Sequence, residues 1–315
     1  MCAAAALLAL TAPAHAQSYP SKPVRLVVPF PAGGVLDRLS RALAPRAAET
    51  FGQPVLVENR PGAGTIVGTE AVARAAPDGH TLLMMAASFV ITPLLRAKLP
   101  FDVERDFVPV TLIASTPNVL VVQPALPIRS VKDLVALARQ RPGELTYGSI
   151  GPGTPQHLAG EMLRVNAKID LVHVPYQGGA PAAAALLGGH VSFMFVNLAE
   201  VQPFIESGRM RLLAVATAER VPTLKQVPTM TEAGVPGFDS TSWFGMVAPA
   251  AVPREIVARW QAEVARIVKL PEVRDTLSSA GLQPLATTPE QFGRLLRDET
   301  ARYATVIRAA RVTVE

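Results

Sequence analysis

Short runs of β-branched and aliphatic residues alternate along the chain with stretches whose apolar positions recur every third or fourth residue. Side chains repeat every two residues in a strand and about every 3.6 in a helix, so the pattern predicts strands and amphipathic helices in alternation. Val24-Arg25-Leu26-Val27-Val28-Pro29-Phe30 predicts a strand, and 36–51 a helix ended by Gly52. A strand at 55–58, a helix at 66–75 and a strand at 81–85 follow. Ser130 and Asp133 have the spacing of a capping box at the head of a helix over 131–141. Next come a strand at 145–148, a helix from about 155 to 165, a strand at 171–175, a helix at 181–187 and a strand at 191–196. The C-terminal part reads as helical, with Ile256, Val257, Trp260, Val264 and Ile267 on one face after Pro253. Thr288-Pro289-Glu290-Gln291 adds a capping box with proline at the first helical position. Pro155, Pro181, Pro253, Pro271 and Pro289 all stand where helices are expected to open, so the 29 prolines punctuate structure rather than prevent it.

Strand–helix alternation of this kind implies βα units and a largely parallel sheet, an α/β fold. Two long extended stretches, 107–122 and 211–217 onward to 247, separate the βα blocks. If both are crossings, the chain leaves a first lobe near residue 115 and returns near 225. That makes 17–115 plus 226–315 lobe one and 116–225 an inserted lobe two, with a hinge of two crossovers and a ligand cleft between the lobes. There is no internal repeat and no low-complexity linker.

Composition narrows the picture. At 315 residues, 49% hydrophobic and 17% charged, the chain has material for one large or two ordinary domains, which excludes disorder. The single cysteine, Cys2, excludes a disulfide framework and a thiolate zinc site. Thirty Lys and Arg against 25 Asp and Glu give a net charge of +5 without basic blocks, and aromatics are only 5%. That balance argues against nucleic acid as a partner and suits small anions. Residues 3–12 are almost all Ala and Leu, too short a run to span a bilayer, which needs about 20 residues. Pro13 breaks the run, and Ala14-His15-Ala16 is a small-x-small cleavage site, so 1–16 is expected to be a signal peptide that takes Cys2 with it. No Lys or Arg precedes the apolar run, which leaves the true start open. No later stretch is long and apolar enough to cross a bilayer, so an exported, soluble protein is expected.

Three segments share one design, in which a strand runs into a Gly-rich loop and then a helix start. They are Pro29-Phe30-Pro31-Ala32-Gly33-Gly34-Val35-Leu36-Asp37, Gly148-Ser149-Ile150-Gly151-Pro152-Gly153-Thr154-Pro155-Gln156-His157 and Tyr176-Gln177-Gly178-Gly179-Ala180-Pro181. Glycine lets backbone N–H groups approach a ligand, and a helix start adds free donors and partial positive charge. Together the loops would hold a carboxylate or phosphate through backbone amides, Ser149, Thr154 and water, without a cationic side chain. Each hydrogen bond to a charged group contributes roughly 1.5–3 kcal/mol. Three or four reach micromolar affinity, about 8 kcal/mol net. Gly62-Ala63-Gly64 with Gly68 fails the dinucleotide fingerprint, because Val67 stands where the third glycine belongs. No G-x-S-x-G surrounds Ser149, and His80, His157, His173 and His190 lack paired spacing, so neither a hydrolase nor a metal site is expected. His173, in an apolar run, reads as a core or edge histidine. For Asp37, capping its helix and holding a ligand group both remain open, as do wall and core for Trp243 and Phe244.

At these loops the sequence resembles the Bug family, the periplasmic solute receptors of tripartite tricarboxylate transporters. The motifs that carry the resemblance are VPFPAGGVLDRLSRALA, GQPVLVENRPGAG, AAPDGHTLL, KLPFDVERDFVPVTLIASTPNVLVVQP, YGSIGPGTPQHLAGEML, VHVPYQGGAPA and VPTMTEAGVPGFDSTSWFGMVAP, in family order along the chain. The resemblance implies a two-lobed type II periplasmic-binding-protein fold that closes over a small carboxylated solute. Carried over, it places Phe30, Ala32, Gly33, Gly34 and Asp37 at the ligand from lobe one. From lobe two it adds Ser149, Gly151, Thr154 and His157, with Tyr176, Gly178 and Ala180 nearby. The family's Gly/Thr-rich third loop here reads Met84-Met85-Ala86-Ala87-Ser88 and retains only Ser88; where the family carries an acidic residue before Asn, Val196 precedes Asn197. Both departures suggest a less polar distal pocket, suited to an aromatic or aliphatic acid rather than citrate. The expectation is a monomeric, non-catalytic periplasmic receptor, without cofactor or metal, that delivers a mono-, di- or aromatic carboxylate to membrane permease subunits. A ligand sensor for a membrane signalling partner is the alternative, and an enzyme using Asp37 and His157 the remoter one.

Overall fold

The computed structural model describes residues 19–312, so the expected signal peptide at 1–16 lies outside the described residues. The chain opens with β1 (Val24–Val28), α1 (Val35–Phe51), β2 (Val55–Asn59), α2 (Ile66–Ala73), β3 (Thr81–Ala86) and α3 (Ser88–Leu95). β1 pairs in parallel with β2 and β3, with Leu26 opposite Val57 and Leu82. Near-continuous apolar strands mean both faces are covered, and the burial follows the two-residue alternation. Val24, Leu26, Val28, Leu82 and Met84 pack on one side with Leu39 and Leu43 of α1. Val27, Leu83 and Met85 pack on the other with Val72 of α2 and the α3 residues Phe89 and Ile91.

The long strand β4 (Phe107–Val122) then links two sheets. Its 107–117 portion pairs antiparallel with β9 (Thr241–Pro249), which in turn pairs with β3. From Asn118 onward β4 pairs instead with β7 (Phe193–Asn197) and β8 (Arg211–Val215). Between β4 and β8 the chain forms α4 (Val131–Gln140), β5 (Thr146–Ser149), α5 (Pro155–Asn166), β6 (Val172–Pro175), α6 (Gly179–Leu187), β7 and α7 (Leu198–Glu206). β5 lies parallel between β6 and β7. This second sheet has its own pair of cores, Tyr147 and Phe193 with α4 and α5 on one face and Met194 and Val196 with α6 and α7 on the other. After β9, α8 (Arg254–Ile267), α9 (Pro271–Ser279), the short β10 (Gln283–Pro284) and α10 (Pro289–Ala310) complete the first layer. The capping box at Thr288 and Gln291 forms as its spacing predicts.

Three expectations change. The stretch after β8 is not one extended crossing, and the return comes later than residue 225. Met230, Val235 and Phe238 sit in the core of the second sheet, Thr229 bridges Val215, and Ser240 N–H donates to the Ala216 carbonyl at 2.7 Å. The chain therefore rejoins the first sheet only at Thr241, because the apolar side chains of 226–240 match the second core. Pro181 does not open α6, which starts at Gly179. The helices α3 and α7 were not anticipated: each contains a proline (Pro93, Pro203), and α3 is apolar on nearly every face, so neither displays the helical period.

α10 packs across the first sheet through Phe292, which needs the missing side chain of Gly245. A Cβ there would lie 2.2 Å from Phe292 Cζ and 3.0 Å from the Thr111 carbonyl oxygen. Gly245→Ala is expected to destabilise the protein by about 1–3 kcal/mol through overpacking, read as a lower urea midpoint with unchanged slope.

Candidate ligand-binding site

The strands β1, β3, β5, β6 and β7 each lead through a turn, or directly for β7, into a helix, and these helix starts meet around one cleft. The lining draws on the first turn or N-cap of five helices. Gly34, Val35 and Leu36 come from α1, Ala87 and Ser88 from α3, and Thr154, Pro155 and Gln156 from α5. Gly178, Gly179 and Ala180 belong to α6, Asn197 and Glu200 to α7. The first N–H groups of a helix have no partner within it and carry partial positive charge. Gly34 and Gly178 offer no side-chain cap that would consume those donors. No Lys, Arg or His lines this cleft or the adjoining one, among the described residues. The second cleft shares Phe30, Ser88, Ile150, Thr154 and Gly178 with the first and adds Gly151, Tyr176 and the turn from Gly62 to Thr65.

Of the residues singled out from sequence, ten line these spaces: Phe30, Ala32, Gly34, Ser88, Gly151, Thr154, Tyr176, Gly178, Ala180 and Asn197. Gly33, Asp37, Ser149 and His157 line neither. Gly33 adopts φ +86°, and its N–H donates to Asp37 Oδ2 at 2.9 Å, while Arg41 Nε donates to both Asp37 oxygens at 3.0 and 3.1 Å. Burial alone would raise the Asp37 carboxyl, but these hydrogen bonds outweigh it and hold it below the usual carboxylate range. Asp37 is therefore spent on fixing the first loop.

The second loop is fixed in the same way. Ser149 Oγ accepts from Gly151 N–H at 3.2 Å and pairs with His173 Nε2 at 2.7 Å. Thr154 Oγ1 donates to the Gly151 carbonyl at 2.7 Å and caps α5 by accepting from His157 N–H. His157 Nδ1 accepts from Gly153 N–H at 3.3 Å, and its ring stacks on His173 with centroids 4.3 Å apart. Burial keeps both imidazoles neutral, pushing His157 down and, together with His157, pushing His173 down to about 4. Asp37 and His157 thus hold separate loops, each with its acid–base group committed. The third loop is tied to the second by Tyr176 N–H and Gly178 N–H, which donate to the carbonyls of Ser149 and Ile150. Phe244 lines the cleft, whereas Trp243 turns into the core and donates to Glu299.

Among the polar residues of the lining, Gln156, Ser242 and Glu200 received no role from sequence. Gln156 was quoted within its loop without a role, yet its Nε2 reaches Asn118 Oδ1 and Asn197 Oδ1, each at 2.7 Å, and Ser242 Oγ at 3.0 Å, where β4, β7 and β9 meet. Ser242 lines the cleft beside it. Glu200 stands in the first turn of the unanticipated α7, and burial pushes its carboxyl up to about 7 against the lowering effects of Arg38, Val35 N–H and Asn197.

Strands that deliver ligand-facing helix starts from two sheets joined by crossovers define a two-layered solute-binding architecture. The profile of the family described as "Tripartite tricarboxylate transporter family receptor" matches residues 39–312. Protein BugT of Bordetella pertussis is 35% identical over 301 residues, covering 95% of this chain and 92% of BugT. Among solved structures, R. palustris Rpa4515 with adipate is 36% identical with a TM-score of 0.89, over 94% of this chain and 99% of that one. MatC (Rpa3494) from Rhodopseudomonas palustris with bound malate is 31% identical with a TM-score of 0.86, over 92% and 100%. The chain belongs to the tripartite tricarboxylate transporter receptor family.

The buried titratable groups give opposite pH signatures. Both imidazoles sit below their unfolded value of about 6.5, so their neutral packing stabilises the fold above that value. The contribution is lost as pH falls from about 6.5 toward 4, because the unfolded state binds the extra protons. Glu200 lies above its unfolded value and destabilises as pH rises through about 7. In urea melts, His173→Asn is expected to flatten the acid-side loss. Glu200→Gln is expected to be more stable than wild type by about 1–3 kcal/mol above pH 7, with the difference gone at low pH.

Proposed function

We propose that this receptor works in the periplasm, capturing a small organic carboxylate in the cleft and handing it to membrane permease subunits of a tripartite-type transporter. The observation that carries the reading is the convergence of five helix starts on a space without a cationic side chain. Helix dipoles and free amides stabilise an anion there without the strongly hydrated point charge of a lysine. The remaining wall is apolar, with Phe30, Val35, Leu36, Ile150 and Phe244, which suits a ligand with a hydrocarbon body. The structures with adipate and malate support a carboxylate as the ligand class.

In this reading the two layers act as lobes, 19–117 with 241–312 and 118–240, closing on a hinge at β4 and at the start of β9. The ligand favours closure because it touches both at once. Ser88 supplies a hydroxyl from one lobe, and Gly34, Gly178 and Ala180 supply backbone from both; Asp37, Ser149, Thr154 and His157 keep the loops in shape. The export signal at 1–16 and a monomeric state belong to the same proposal.

A thermal-shift panel of mono-, di- and aromatic carboxylates is expected to raise the melting temperature by several degrees, since ligand at about 100 times its Kd adds about 2.7 kcal/mol. Ser88→Ala, which leaves the α5 cap intact, is expected to weaken binding of the best acid about tenfold by titration calorimetry. Indifference to the whole panel would overturn the reading, and unchanged affinity in Ser88→Ala would remove Ser88 from the site.

A further inference from the structure

Two buried oxygen atoms in the cleft have no hydrogen-bond partner, Gln156 Oε1 and Glu200 Oε2. They come from different helices, α5 and α7; Gln156 Oε1 is an acceptor as placed, and Glu200 Oε2 is one when its carboxyl is ionised. The Gln156 amide is oriented by its neighbours, since its Nε2 faces three acceptors and leaves Oε1 to the cleft. Glu200 is the one acidic side chain lining either space, among the described residues. It is packed so closely against α6 that a Cβ on Gly179 would lie 2.0 Å from Glu200 Oε2.

An unpaired buried acceptor is costly unless a ligand supplies a donor. A second carboxylate has no donor to give, and one placed beside Glu200 meets a like charge once that group ionises. We propose that the ligand of this chain is a monocarboxylate bearing a hydrogen-bond donor, a hydroxyl or an ammonium, that is received by Glu200 Oε2 and Gln156 Oε1, and that Glu200 rejects dicarboxylates. The inference rests on the receptor reading above and deepens it by naming the ligand class.

The groups facing the Glu200 carboxyl are few. α1 contributes the Val35 N–H and the charge of Arg38, whose Nη2 donates to the Ala199 carbonyl at 3.2 Å, and Asn197 precedes α7. α6 contributes only apolar and small residues without a titratable group. Burial outweighs these groups and pushes the carboxyl up to about 7. A dicarboxylate placed beside it must either meet a like charge or bring a proton, so its binding weakens as pH rises.

The test is titration calorimetry on wild type, Glu200→Gln and Glu200→Ala. The probes are butyrate, valerate and hexanoate, their ω-hydroxy and ω-amino derivatives, and succinate, glutarate and adipate. In wild type at about pH 8, the best hydroxy or amino acid is expected to bind at least tenfold tighter than its parent acid and than the dicarboxylate of equal length. Dicarboxylate affinity is expected to fall toward tenfold per pH unit above about 7. Both Glu200 variants are expected to lose that slope and to gain dicarboxylate affinity. If the amino acid leads, the donor is an ammonium; if the hydroxy acid leads, it is a hydroxyl. A wild type that binds a dicarboxylate as tightly as its donor-bearing analogue, or variants with an unchanged order and slope, would overturn this inference while leaving the receptor reading intact. Failure of every acid to bind wild type would overturn both.

Discussion

An anion taken out of water without a counter-cation must be stabilised by dipoles that are already pointing at it. That constraint organises this molecule. Each helix start carries roughly half a positive charge, screened little inside a cleft. To bring five of them to one place the chain uses strands that all end at the same edge, each followed at once by a helix. Two sheets are then needed, because the helices on one sheet cannot surround a ligand. The linking strand β4 serves both, pairing with β9 over 107–117 and with β7 and β8 beyond Asn118.

Dipoles act only if they stay oriented, and this explains the side chains behind the cleft wall. Asp37 holds Gly33 N–H, Ser149 and His157 hold Gly151 and Gly153, and the third loop hangs on the second through two backbone hydrogen bonds. These residues carry the conspicuous polar chemistry of the loops, yet they face inward to the scaffold. Neutral His157 and His173 fit the same logic, since they hold the second loop from behind the wall and add no charge there. Holding the loops and touching the ligand are different tasks, and the polar residues here divide between them.

That division also sets what could be read from the residues alone. Gly-rich turns between strand and helix are local features, visible in a window of ten residues, and they located three of the five walls. The long β4 was legible because 107–122 is dominated by β-branched and aliphatic residues over sixteen positions. What was hidden is non-local or aperiodic. For Asp37 the sequence leaves capping and a ligand role both open, and it points to Ser149 at the ligand, because nothing there reveals that Gly33 N–H and His173 bond to them. α3 and α7 conceal their period behind Pro93 and Pro203, and with α7 went Glu200. The return crossing was placed too early because 226–240 contains only scattered apolar residues, and their shared destination against Phe195 and Leu213 exists only in three dimensions.

The meeting point of β4, β7 and β9 is where cleft and crossover are one structure. Gln156 Nε2 has two hydrogens and three acceptors within reach, contributed by Asn118, Asn197 and Ser242. Asn118 is the first residue of β4 to pair with β7, Asn197 is the last residue of β7 and Ser242 stands one residue into β9, so the acceptors lie at both passages between the layers and at the end of a second-sheet strand. A side chain that bonds to all three cannot keep every bond if the passages move apart. A polar cluster at this spot is costly in the absence of full satisfaction, and an apolar substitute would pack without that dependence on geometry. The network therefore makes the shape of the cleft wall sensitive to the angle between the sheets, in the same residue whose remaining oxygen has no partner within the protein.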